Sequence, residues 1–297
     1  MDAAPADAAD ASLDASLDAS LDATEPDASI VRCEPPAELP ATCNLHEELC
    51  ARRYDEVAYA TSHNAMSNME ERWLAPNQSF TITHQLEHGV RALMLDTHYF
   101  HDEPVLCHNI CTAGERPLAE GLFEITEFLR CHPAEVVTII FETYISPEDT
   151  QAAFVASGLD AYVQVQTPGT PWPTLAEMIA SDQRLVVFTD TDGDAWPGHH
   201  DVWAWAFDTP YHAEAPDQLH CELGRGTMGN DLFILNHFLT APLAAPSLAE
   251  MVNHDPFLTE RALACRDWAG QIPNFLTVDF EDIGDVMHAT DVLNGFP

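Results

Sequence analysis

Apolar residues gather in short, unbroken runs along this chain. The runs are RALMLD (91–96), EVVTIIFE (135–142), RLVVFTD (184–190), DLFILNHF (231–238) and NFLTVDFED (274–282), preceded by the β-prone lead-in Val57-Ala58-Tyr59-Ala60. Apolar positions in succession, rather than in alternation, predict strands buried on both faces, which is the habit of parallel sheets. Helical patterns lie between them. Leu118, Leu122, Ile125 and Leu129 form one stripe across 116–131, and His132-Pro133 ends it. TLAEMIA (174–180) and the segment 247–269, interrupted at Pro256, predict further helices. Alternation of β and α over about 240 residues predicts an α/β fold. A TIM-type (β/α)8 barrel, regular or distorted, fits the length best; an open doubly wound sheet is the alternative. No Gly-rich phosphate loop follows any strand, which counts against nucleotide binding.

Polar residues collect where these strands run out: His63-Asn64, Asp96 with His98, His108, Glu142, Asp190 with Asp192, Asn236-His237, and Asp279 with Glu281. In a barrel that end is where chemistry sits. An imidazole and an amide closing a buried strand cost free energy unless they find partners, so His63 and Asn64 are read as having reached the rim.

The flanking segments differ in kind. Residues 1–30 repeat ASLD amid Ala, Asp and Pro, and are expected to form a disordered acidic spacer. Residues 31–53 form a Cys-containing lead-in, and 54–297 the barrel. The chain holds 49 acidic residues against 11 basic ones, for a net charge of −38, and every basic residue is Arg. Such a surface repels nucleic acid and anionic membranes, leaving at most peripheral membrane contact. Any bound phosphate must then be neutralised by a metal or by placed Arg residues. Eight Cys without a CxxC pair are read as disulfides rather than a zinc site. That implies an extracytoplasmic protein, secreted or surface-tethered through a lipidated N-terminus, with its leader removed.

His63 and His108, at the ends of early strands, can serve as general base and general acid. Asp96, Glu142 and the Asn64 amide oxygen are hard donors suited to Ca2+ or Mg2+, with His98 a weaker candidate. TDTDGD (189–194) lacks the spacing of a full calcium loop and is read as an acidic turn. Trp196, Trp203, Trp205 and Tyr211 offer an aromatic rim or buried packing. Cys107 and Cys111 bracket His108, either as one disulfide stiffening that loop or as halves of two bridges.

SHNAM (62–66), QLEHGVRALMLDTH (85–98), LCHNIC (106–111), EVVTIIFE (135–142) and NFLTVDFEDIGD (274–285), in this order and spacing, resemble the X domain of phosphatidylinositol-specific phospholipases C. The resemblance implies a TIM-type barrel that cleaves the phosphodiester of a phospholipid or a soluble phosphodiester. It implies His63 as general base, His108 as general acid and Asp279 as the carboxylate orienting His63. Asn64, Asp96 and Glu142 correspond to calcium ligands of the metal-dependent branch. Met94 stands where that branch carries a further acid, and a thioether is a poor ligand for a hard cation. A sphingomyelinase D-like or glycerophosphodiester-type phosphodiesterase is an alternative, as is a non-catalytic barrel that binds a phospholipid or sugar. His63-Asn64-Ala65 departs from the His-Arg-Gly opening usual in glycerophosphodiester phosphodiesterases.

Overall fold

The computed structural model describes residues 36 and 38–297. The acidic repeats of 1–30 and Cys33 lie outside the described residues. Ten strands follow in chain order: β1 Tyr59–Ser62, β2 Ala92–Phe100, β3 Glu103–Leu106, β4 Arg116–Pro117, β5 Val137–Thr143, β6 Leu185–Thr189, β7 His199–Asp201, β8 Ala206–Asp208, β9 Leu232–Asn236 and β10 Phe275–Val278. Eight of them form one curled parallel sheet in the order β7-β6-β5-β2-β1-β10-β9-β8. The short strands β3 and β4 form an antiparallel excursion hung on β2.

The runs read as doubly buried strands are so. Every residue of β1, β6, β9 and β10 is buried. Successive side chains alternate between two cores, as strand geometry requires. Tyr59, Ala92, Ile140, Val186, Phe188, Ala206, Ile234 and Phe275 belong to one cluster inside the sheet's curve. Their neighbours Leu93, Leu95, Ile139 and Val187 pack outward with helix residues Leu122, Ile125 and Leu129. On the other flank Phe233, Leu235 and Leu276 do the same with Leu258 and Ala262. The predicted helices stand at Leu118–Cys131, Leu175–Ala180, Pro246–Val252 and Phe257–Ala269.

The barrel is of the distorted kind, open as a hydrogen-bonded ring between β7 and β8. Those strands are joined by the single helical turn Val202–Trp205. Laddered parallel neighbours need a crossover of about a dozen residues, and a four-residue link cannot carry the chain back to start a paired strand. Trp196 and Trp205 are buried in the two cores, while Trp203 is half-buried. Among the described residues, disulfides join Cys43–Cys50, Cys107–Cys111 and Cys221–Cys265. No helix among them is long and apolar enough to cross a membrane.

Candidate active site

The inward face of each strand continues past its last residue into a polar layer. Tyr59 and Thr61 lead to His63, Ala92 and Met94 to Asp96, Ile140 to Glu142, Phe188 to Asp190, Ile234 to Asn236, and Phe275 and Thr277 to Asp279. With a period of two, these side chains emerge on the same side as the inner core. The register seats Asp96 directly opposite Glu142 on the adjacent strand. Asp190 follows Thr189, the partner of Phe141, and so stands beside Glu142.

His63 Nδ1 lies 2.8 Å from Asp279 Oδ1. The same oxygen accepts a bond of 3.0 Å from the Asn77 amide, and Gln78 donates to the His63 carbonyl at 2.7 Å. The His63 ring stacks on Phe238 with centroids 3.9 Å apart and planes 9° apart. A carboxylate at Nδ1 holds the proton there and leaves Nε2 free to face the cavity. Asn64 Nδ2 sits 3.3 Å from His63 Nε2 and 3.4 Å from His108 Nε2. Two imidazoles far apart in sequence thus come within reach of one amide nitrogen. Burial, reinforced by the nearby His63, holds the His108 imidazole below its usual range. The residue after each of the three has a left-handed backbone: Asn64 at φ 47°, Asn109 at φ 60° and Phe280 at φ 50°. Such conformations cost free energy and persist where the surroundings over-determine them. The Cys107–Cys111 disulfide closes the turn that carries His108, the first of the two arrangements open in the sequence.

Two cavities meet at His63, Asn64, Asp96 and Glu142. The smaller, about 240 Å³, is walled by Asp190, Trp203, Arg225 and Asn236. The larger, about 520 Å³, is walled by Trp73, Leu74, Ile110 and Leu243, and His108 faces this one alone. Leu74, Ile110 and Leu243 are 70%, 65% and 58% exposed, forming an apolar lip.

Arg225 lines the smaller lobe with two of its three side-chain nitrogens paired to a carboxylate. Its Nε and one terminal nitrogen donate to Asp208 Oδ2 at 2.9 and 2.6 Å. Its guanidinium lies 4.4 Å from both the Trp203 and the Tyr211 ring centroids. Arg91 pairs with Glu135 instead of Asp96. The Asp96 carboxyl, buried and beside Glu142 and Asp190, is held well above the usual carboxylate range, with burial the larger cause.

The oxygens of Asp96, Glu142 and Asn64 have the chemistry of Ca2+ or Mg2+ donors. Among the described residues no three His, Cys, Asp or Glu side chains are grouped closely enough to hold an ion. Met94 adds a thioether to the lining, and His98 stacks on Tyr144 with centroids 4.4 Å apart, lining neither lobe. His237 is wholly buried, 2.8 Å from the Val252 carbonyl and 3.0 Å from Arg261, and takes no part in the cavity. Sequence reasoning missed Asn77, Gln78, Phe238 and the Asp208–Arg225 pair. The first two sit in an irregular loop with no periodic signal. The pair is 17 residues apart in sequence and meets because the segment around Gly226 folds back antiparallel against β8.

The PI-PLC X family model (PI-PLC X 1) matches residues 49–294. A PI-PLC X domain-containing protein of Arabidopsis thaliana is 32% identical over 270 residues, which cover 82% of this chain and 62% of that protein. PI-PLC X domain-containing protein 1 of Arthroderma benhamiae is 29% identical over 280 residues, covering 85% of this chain and 89% of that one. An uncharacterized secreted protein of the same organism is 26% identical over 271 residues, covering 82% of this chain and 61% of that one. The chain therefore spans under two thirds of the Arabidopsis relative's length. A mutant of the phosphatidylinositol-specific phospholipase C from Staphylococcus aureus superposes with a TM-score of 0.58 at 12% identity, covering 84% of this chain and 95% of that chain. That likeness is one of fold.

Proposed function

The chain belongs to the PI-PLC X family, and from that premise we propose that it cleaves a phosphodiester between the phosphate and an apolar alcohol, in the manner of a phospholipase C. The observation that carries this reading is the one amide nitrogen within reach of both imidazole Nε2 atoms, at the point where the two lobes meet. The phosphate sits at that junction. The headgroup takes the smaller, polar lobe and the alcohol the larger lobe behind the apolar lip.

The steps follow from the geometry. A hydroxyl, from the headgroup or from water, gives its proton to His63 Nε2 as its oxygen bonds to phosphorus. Asp279 fixes the tautomer of His63 and stabilises the imidazolium that forms. His108, protonated in the complex, gives its proton to the departing alcohol oxygen as the phosphorus–oxygen bond breaks. Because His108 faces only the larger lobe, the leaving group is the apolar alcohol and the phosphate stays with the headgroup. Asn64 donates to a phosphoryl oxygen between the two rings. The residues expected to hold Ca2+, Asn64, Asp96 and Glu142, line both lobes, and no step is assigned to an ion.

Three disulfides among the described residues and a secreted relative support an extracytoplasmic setting. The exposed lip supports peripheral contact with a lipid surface.

The test is a panel of glycerophospholipids in mixed micelles, assayed with and without chelator. Release of diacylglycerol with a water-soluble phosphate ester is expected. Release of phosphatidate would put the cut on the other side of phosphorus, unchanged turnover in His63→Ala would end the assignment of His63 as base, and no turnover of any ester would leave a binding barrel.

A further inference from the structure

The cavity is built against the charge of the substrate it is read to hold. Asp96, Glu142 and Asp190 stand abreast at the tops of β2, β5 and β6. The chain has no Lys, and Arg225, the Arg in the lining, has its charge paired with Asp208 through two nitrogens and lies against two rings. A phosphate anion entering the smaller lobe meets a row of acids and a single Arg already paired with a carboxylate.

A second observation points to what fills the gap. The Asp96 side chain is only 5% exposed, lines both lobes, and has no hydrogen-bond partner in the protein. A buried carboxylate left unpaired is costly and is normally matched by a donor. A divalent metal ion would match it, but Met94, two residues before on the same inward face, offers a thioether that is a poor donor to a hard cation. Sugar hydroxyls would donate hydrogen bonds but bring no charge. A quaternary ammonium would bring charge but no donor. A primary ammonium brings both, a charge beside the acid row and N–H donors for Asp96.

Resting on the reaction proposed above, we infer that the smaller lobe selects phosphodiesters whose headgroup carries a primary ammonium. Asp96 is the principal partner of that ammonium, and Glu142 and Asp190 flank it. The ammonium sits against the acid row as the phosphate reaches His63 and His108, so the ligand supplies the donor and charge that Asp96 lacks. An amino alcohol such as ethanolamine and an amino sugar both offer this group.

Binding decides it independently of turnover. Glycerophosphoethanolamine, a glucosaminyl-inositol phosphate, glycerophosphocholine and glycerophosphoinositol are titrated calorimetrically into the full chain with chelator present. The primary amines are expected to bind at least tenfold tighter than the choline and inositol esters. Whichever amine binds tighter identifies the source of the ammonium. Asp96→Asn should abolish the preference. Glu142→Gln, at an exposed position that the fold does not need, should reduce it severalfold. Equal binding of the choline or inositol ester, or a preference that survives Asp96→Asn, would overturn the inference. So would saturable Ca2+ binding, measured without chelator, that displaces the amine. His63→Ala should keep the preference while losing turnover. If it turns over normally, the reaction assigned above fails while the headgroup preference is still judged by these titrations.

Discussion

Two histidines leave the ends of the strands that flank β10 and meet opposite fates. His63 follows β1, has Asp279 at Nδ1, and keeps Nε2 for the cavity. His237 follows β9 and has both nitrogens occupied, one facing the Val252 carbonyl and the other Arg261, with no exposed surface. Both stop an apolar run and both sit in sequence beside an Asn. The difference is one unspent nitrogen. A histidine that spends both on the protein is a strut; one that spends a single nitrogen on a carboxylate and offers the other to a cavity is equipped to move protons.

Replacing each ring with alanine is the largest way to break the comparison. His63→Ala and His108→Ala should each lower kcat by about a hundredfold to ten-thousandfold, the range for removing a general base or acid, with thermal midpoints little changed. His237→Ala should do the reverse. It strands a buried guanidinium and a carbonyl, so stability should fall by about 2 kcal/mol, read from a denaturant midpoint. Turnover per folded molecule should stay near wild type. If His237→Ala cost as much turnover as His63→Ala, the distinction would collapse.

A smaller effect is expected at the loop carrying His108. Cys107→Ser with Cys111→Ser opens a bridge across only four residues. So short a loop contributes little to the unfolded-state entropy that disulfides restrict. The thermal midpoint should move little, while kcat falls about tenfold as the imidazole loses its fixed position. A large fall in stability with kcat intact would make the bridge structural alone.

Much of this was legible in the sequence, for a physical reason. Strands buried on both faces cannot hide their composition, so β2, β5, β6, β9 and β10 show as apolar runs, and a polar residue ending each run marks the rim. The strands β7 and β8 were not legible. Each has three residues, and His199 and His200 make β7 look like a polar turn. Nothing local says that His237 is sealed and His63 is not, because the sealing groups come from 15 and 24 residues further along. The missing acid at Met94 was visible; that no three acids close on an ion depends on spacings only coordinates provide.

The finest test of the comparison is the pH dependence of stability. Burial, and to a lesser degree the adjacent Arg261 cation, lower the His237 pKa from 6.5 to about 3. Between those values the unfolded chain binds a proton that the native chain refuses, so stability falls as pH falls. Its contribution is complete above pH 6.5 and declines continuously toward pH 3. One pH unit below 6.5 the loss from this residue is about 1 kcal/mol. His84 and His254 work in the other direction. Hydrogen bonds to Glu70 and Glu250 raise their pKa values, so their contribution is present at low pH and fades as pH rises. Both pairs are exposed, and screening keeps that contribution small. The net expectation is a midpoint that drops between pH 6.5 and pH 5, with a shallower drop in His237→Gln. An identical slope in that variant would mean the buried imidazole does not govern the acid limb, and that its sealing matters less than the coordinates imply.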